Sequence, residues 1–282
     1  MFSATKILTA TAISFVMFAS CGKSDTGEAE ARKLLTEAQA ALENGDAKLS
    51  LSLLDSLDSR FAKYVSVRRD GINLRARAQE RYFQRELEMA DSLAAVLAVR
   101  VDSIKNTRLR WVNEPMEGYY IAEGSELPPT GVEGRLTPEG EFFMVSSLQG
   151  HPISHTAVTL SDGTGKSARS ADVTYDGEAN RRSGANERIY FAGEGIDTIG
   201  YFAFENRRGP LTLSFEGNTI YSRPLTAGEL ENLATVYEYA WSLRQMKVAA
   251  LRHESLERKL DIARQQVART TPDKSVSSDS QR

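Results

Sequence analysis

The sequence predicts an α+β protein in which helical segments flank an all-β antiparallel sandwich or barrel. Three observations carry this. Apolar residues recur at helical spacing on both sides of the middle of the chain. Between residues 111 and 224 that period disappears and turn residues return every few positions. The long segments on either side each carry a heptad seam, a pattern that pairs helices.

Each element follows in order. Ala31, Leu34, Leu35, Ala38, Ala41 and Leu42 make one helical stripe, and Asn44-Gly45-Asp46 breaks it. Leu49, Leu53, Leu54, Leu57 and Phe61 make a second stripe, so the two predict an N-terminal helical hairpin. With Ala38 and Ser50 as small contact residues and Gly45-Asp46 at the turn, the pair resembles a single tetratricopeptide unit. No second copy follows at that period, so a plain hairpin is the expectation. A new helix is expected from Asp70-Gly71 to about Asn106, with Pro115 forbidding much continuation. Its seam is Phe83, Leu87, Ala90, Ala94, Leu97, Val101 and Ile104. Residues 31–110 therefore read as hairpin plus first coil helix.

Nine strands are expected in the β domain, at 119–122, 132–136, 142–147, 156–160, 172–175, 188–191, 198–204, 211–215 and 219–222. Glu216-Gly217-Asn218 reads as a hairpin turn. Thr226-Ala227-Gly228-Glu229 is a capping box that starts a helix over 225–269. That helix carries the second seam: Met246, Ala249, His253, Leu256, Leu260, Ala263 and Val267. Residues 270–282 are polar and read as a disordered tail. The simplest packing is an antiparallel coiled coil with the β domain at its tip. The alternatives are a coil folded back over the sheet, or self-association through the seam.

The first twenty residues, MFSATKILTATAISFVMFAS, hold one charge, Lys6, then a short apolar run ending in small residues. That run is too short for a membrane span of about 20 residues and has the layout of a secretion signal. Phe18-Ala19-Ser20-Cys21-Gly22 resembles the lipobox of bacterial lipoproteins, with Phe18 in the place of the usual Leu. The resemblance covers only this leader. It implies cleavage of 1–20, acylation of Cys21 with diacylglycerol and a further chain such as palmitate, and a lipidated tether over 21–30. Gly22 after the cysteine implies the outer membrane, by likeness to Gram-negative lipoproteins. Cys21 is the only cysteine, so no internal disulfide forms, and acylation accounts for the odd thiol.

The chain carries 35 basic and 38 acidic side chains, a net charge of −3, and loses Lys6 with its leader. No basic field is present, so nucleic acid is not an expected partner. Asp162-Gly163-Thr164-Gly165-Lys166-Ser167 looks like part of a phosphate loop, but Leu160 stands where the pattern needs glycine and a strand follows. A hairpin turn is the expectation there. His151 and His155 flank Pro152 with no third ligand nearby, and read as a surface-loop pair rather than a metal site. His253 lies on the seam, where it sets register. No Gly-x-Ser-x-Gly elbow is present, and Glu133, Glu139, Glu141, Asp172, Asp176 and Glu187 read as solvated turn carboxylates. Arg181-Arg182 and Arg207-Arg208 read as solvated loop charges, with an acidic partner or lipid headgroup as the alternative. Tyr119-Tyr120, Phe142-Phe143, Tyr190-Phe191 and Tyr201-Phe202 must each split between two strand faces.

The expectation is a membrane-anchored, non-enzymatic envelope lipoprotein with no catalytic, metal or cofactor residues. Its one assigned site is the lipid on Cys21, and a protein or glycan partner binds the β domain. The alternatives are an assembly subunit using its helices as the interaction surface, and a hydrolase in the β domain. The hydrolase reading would be revived by His151 or His155 lying beside a serine and a carboxylate.

Overall fold

The computed structural model describes residues 26–114, 118–193 and 195–270. The leader, Cys21, Pro115 and the tail beyond Thr270 lie outside the described residues. The protein is α+β, with five helices and two antiparallel sheets among the described residues. It divides into two compact units. One comprises the residues up to Tyr82 and those from Leu260 onward, and the other is Phe83–Lys259.

In the first unit, α1 (Thr26–Glu43) begins within the stretch expected to be a tether. Its extra turn carries the Glu28–Arg32 ion pair at helical spacing. Asp46 caps α2 (Ala47–Arg60) by accepting the Leu49 N–H at 2.9 Å. Ala31, Ala38, Leu42, Leu54 and Leu57 are buried in one cluster with Phe61, Val67 and Leu74. The next helix, α3 (Val65–Arg108), starts earlier than Asp70-Gly71. Gly71 lies inside the helix rather than at its start. A Cβ on it would lie 3.3 Å from Leu54 Cδ2, so the missing side chain allows close packing inside the helix.

The second unit holds both sheets. The first contains β1 (Leu109–Val112), β2 (Tyr119–Ala122), β3 (Gly131–Leu136), β4 (Phe142–Gln149), β7 (Asn180–Ser183) and β8 (Asn186–Phe191), in the order β1-β2-β3-β4-β8-β7. The second contains β5 (Ala157–Ser161), β6 (Ser167–Arg169), β9 (Thr212–Glu216) and β10 (Ile220–Pro224), in the order β10-β9-β5-β6. Neighbouring strands with assigned register are antiparallel.

Two expected strands are absent. Residues 172–175 take no strand; Asp172 is drawn to Arg169 and Thr156 instead. Residues 198–204 lie in helix α4 (Ile196–Glu205). The alternation Ile199, Tyr201, Ala203 suggested a strand, but Ile196, Ile199, Gly200 and Ala203 are the buried set, and that spacing is helical. A Cβ on Gly200 would sit 2.4 Å from Tyr237 Cδ2, so only glycine lets α4 approach that ring.

The last helix, α5 (Ala227–Thr270), opens with the reciprocal pair its sequence predicts. The Glu229 N–H donates to Thr226 Oγ1 at 3.2 Å, and the Thr226 N–H donates to Glu229 Oε2 at 3.0 Å. Its first turns also complete β3. Strand β3 meets β2 in register only at Tyr120–Leu136. The Val132 N–H donates to Glu229 Oε1 at 3.0 Å, and the Gly134 N–H to Asn232 Oδ1 at 2.6 Å. Helix side chains thus satisfy amides that a strand would otherwise take. Leu233, Val236 and Ala240 of α5, Val101 and Ile104 of α3, and both sheets share one core. In this unit α3 and α5 are joined by Glu86–Arg252 and Arg100–Glu238 ion pairs and by His253 Nε2 lying 3.1 Å from Asp91 Oδ1. The seam residues Ala90, Leu97, Ala249 and Leu256 are buried.

Candidate functional site

Two features of the second unit carry polar chemistry. The first is sealed within it. Alternation along β4 turns Met144, Ser146 and Leu148 inward, and alternation along β8 turns Glu187, Ile189 and Phe191 inward. Register places Ser146 opposite Ile189 and Leu148 opposite Glu187, so the serine and the carboxylate are diagonal neighbours on one face. His155, just before β5, reaches in from the second sheet. Its Nε2 lies 2.9 Å from Ser146 Oγ and its Nδ1 2.6 Å from Glu187 Oε2.

The Glu187 carboxylate also accepts the Ser154 N–H at 2.6 Å and the His155 N–H at 2.8 Å. Ser154 holds φ at +58°, the one non-glycine residue with positive φ among those described. Asn180 Nδ2 fixes the same segment by donating to the His155 and Val173 carbonyls. Burial holds the His155 imidazole below its ordinary pKa, against the upward pull of Glu187, and the Arg182 charge acts in the same direction as burial. Burial pushes the Glu187 carboxyl up, but the hydrogen bonds from His155 and Ser154 outweigh it and leave the carboxyl below its usual range. A neutral ring that donates from Nδ1 to Glu187 and accepts the Ser146 hydroxyl at Nε2 satisfies every group.

Serine, imidazole and carboxylate stand in the order of a hydrolytic triad. Ser146 and His155 are 0 % exposed and Glu187 is 3 % exposed. The described arrangement therefore gives a substrate no contact with the Ser146 hydroxyl. This corrects the reading of His155 as half of a surface-loop pair. His151 does stay at the surface, stacked on Tyr221 with ring centroids 4.2 Å apart. It also corrects the reading of Glu187 as a solvated carboxylate. The usable signal in the sequence was phase: Ser146 and Glu187 fall on the inward beat of otherwise apolar strands.

The second feature is a cleft of about 680 Å³ beside β4, β8 and the edge strand β7. Arg181, Arg182 and Arg188 line it with Tyr175, Tyr190 and Gln149. Arg181 and Arg188 are direct cross-strand partners. The Arg181 guanidinium lies 5.8 Å from the Tyr190 ring centroid, and that of Arg182 lies 4.8 Å from Tyr175. Tyr175 is 57 % exposed.

No known protein family, characterised protein or solved structure matches this chain.

Several other polar groups of the unit pair with one another. Glu238 receives Arg100 at 2.8 Å, and Arg108 and Arg207 each at 3.1 Å. Burial pushes its carboxyl up, yet Arg100 and Arg108 hold it below the ordinary range. Arg207 is therefore paired, which corrects its reading as a solvated loop charge. Arg135 meets Glu133, Arg169 meets Asp172 and Glu216, and Arg244 meets Asp197. Asp162 closes the turn between β5 and β6 by accepting the Thr164 and Lys166 N–H groups, leaving the hairpin its sequence predicts. Among the described residues no group of three or more His, Cys, Asp or Glu side chains is placed to hold a metal ion. No described helix is long and apolar enough to cross a membrane.

Proposed function

We propose that this chain is an envelope lipoprotein. It is exported by residues 1–20, acylated on Cys21 and held on a membrane by that lipid, with the outer membrane the favoured site. Its work is binding rather than catalysis, and its second unit meets a protein or glycan partner. Within that unit we take α3 and α5 to pair as an antiparallel coiled coil, a reading supported by the ion pairs between them and their buried seam residues. In the first unit, the shared cluster of α1 and α2 supports a helical hairpin. The observation that carries the proposal is the lone cysteine standing where a short apolar leader ends in small residues.

The test is metabolic labelling with a palmitate analogue, followed by membrane fractionation. The wild-type chain should be labelled and sediment with membranes. Cys21→Ser should lose the label and the leader cleavage together. Labelling that survives Cys21→Ser would remove the proposal.

A second reading rests on the Ser146–His155–Glu187 chain, which has the order of a hydrolase triad. It requires an opening that admits substrate to Ser146. A fluorophosphonate probe that labels the wild-type protein, but not Ser146→Ala, would favour it over pure binding.

A further inference from the structure

We infer that the cleft beside β7 is a binding site for an acidic saccharide, a sugar chain bearing carboxylate or phosphate groups. The inference deepens the binding role proposed above and does not depend on the lipid anchor. Its basis is a local failure of charge balance. Most other arginines of the unit meet carboxylates, as at Glu238, Glu133, Glu216 and Asp197, with Arg85, Arg110 and Arg208 the exceptions among the described residues. Arg181, Arg182 and Arg188 have no carboxylate partner among the described residues. Arg181 and Arg188 even face each other across β7 and β8, an arrangement that like charges make unfavourable. The one carboxylate along the cleft, Glu187, is occupied by His155 and Ser154. A bound oxyanion would relieve this repulsion, and a guanidinium fork suits carboxylate and phosphate alike.

The other groups choose the rest of the ligand. The volume lies in the range of pockets for organic ligands, roughly 300–1,000 Å³, and far exceeds what a bare anion fills. Tyr175 and Tyr190 offer ring faces against which the C–H face of a sugar packs. Gln149 and Asn186 offer carboxamides for hydroxyls. The arginines resting on the tyrosines are positioned before any ligand arrives. An acidic peptide would be expected to extend the free edge of β7 through backbone pairing, where neither the tyrosines nor the carboxamides would be needed.

The contrast with the first unit supports the choice. A cleft of about 570 Å³ there is lined by Arg68, Arg69 and Arg75, and two of the three, Arg68 and Arg75, are paired with Asp55 and Asp58, whereas none of the three arginines beside β7 has such a partner among the described residues.

The test is isothermal titration of the purified full chain in detergent with tetragalacturonate. Its methyl ester, hexaglutamate and inorganic phosphate are the comparison probes. Tetragalacturonate should bind saturably and weaken as salt rises. Arg181→Gln/Arg188→Gln and Tyr175→Ala should each weaken it by about tenfold or more, a measurable 1.4 kcal/mol. Both variants alter exposed side chains, and an unchanged circular dichroism melt confirms that they fold. The methyl ester should bind at least as much more weakly. The inference is overturned if tetragalacturonate shows no saturable binding, or if the variants bind it as the wild type does. It is equally overturned if hexaglutamate or phosphate binds as tightly, which would mean a peptide site or a simple anion site. Loss of membrane attachment in Cys21→Ser would leave this result untouched, so the two proposals fail separately.

Discussion

Removing the Glu187 carboxylate should be among the most damaging single changes in the second unit. Glu187→Ala leaves two buried donors, the His155 N–H and His155 Nδ1–H, and one partly buried donor, the Ser154 N–H, without an acceptor. Each unsatisfied buried donor costs about 1–3 kcal/mol. Some of that is recovered as water enters the space left by the side chain, so the expected total is about 3–5 kcal/mol, the range for breaking a buried charged network. Ser146→Ala removes a single partner of His155 Nε2 and should cost about 1–2 kcal/mol. The assay is urea unfolding followed by tryptophan fluorescence. Trp111 and Trp241 both belong to the second unit, so the signal reports that unit. With a slope of about 2 kcal/mol/M, Glu187→Ala should lower the midpoint by about 1.5–2.5 M. A loss under about 1 kcal/mol, or equal losses for Glu187→Ala and Ser146→Ala, would refute the reasoning.

The same network sets a pH dependence. The folded His155 and Glu187 both hold pKa values below their ordinary ones, so the unfolded chain binds protons first as pH falls. The His155 contribution is present above about pH 6.5 and is lost as pH drops below that value, with a slope approaching about 1.4 kcal/mol per pH unit. Urea midpoints measured from pH 8 to pH 5 should fall in that window, and a flat profile would contradict it. Glu238→Gln strips Arg100, Arg108 and Arg207 of a shared carboxylate. Because those arginines are about one-third exposed, the cost should be nearer 1–3 kcal/mol than the buried-pair range. Gly200→Ala drives a Cβ to 2.4 Å from Tyr237 Cδ2 and should destabilise by about 1–3 kcal/mol, read by thermal melting.

Much of the fold was legible because periodicity reports burial directly. The capping box at Thr226–Glu229 and the turns at Asp162–Lys166 and Glu216–Asn218 rest on local chemistry, and all three are present in the structure. Where local signals were ambiguous, partners elsewhere in the chain decided. Residues 198–204 fit either period, and the ring of Tyr237 resolves them as helix. Asp70-Gly71 reads as a helix start, but Gly71 lies inside α3 with Leu54 against it. The candidate sites were less legible for the same reason. Ser146, His155 and Glu187 are brought together by register between strands and by a contact between sheets, neither of which has a local signature. Arg181 and Arg207 look alike in sequence. Only the positions of Glu231 and Glu238 distinguish the arginine that meets carboxylates from the one that meets none.

The backbone of β3 depends on groups nearly a hundred positions further along the chain, Glu229 and Asn232. Until the start of α5 emerges, the amides of Val132 and Gly134 lack these acceptors, although β3 can already pair with β4. Long-range contacts of this kind slow folding. A chain truncated ahead of α5 should therefore accumulate as a loose, aggregation-prone species rather than as a smaller native domain.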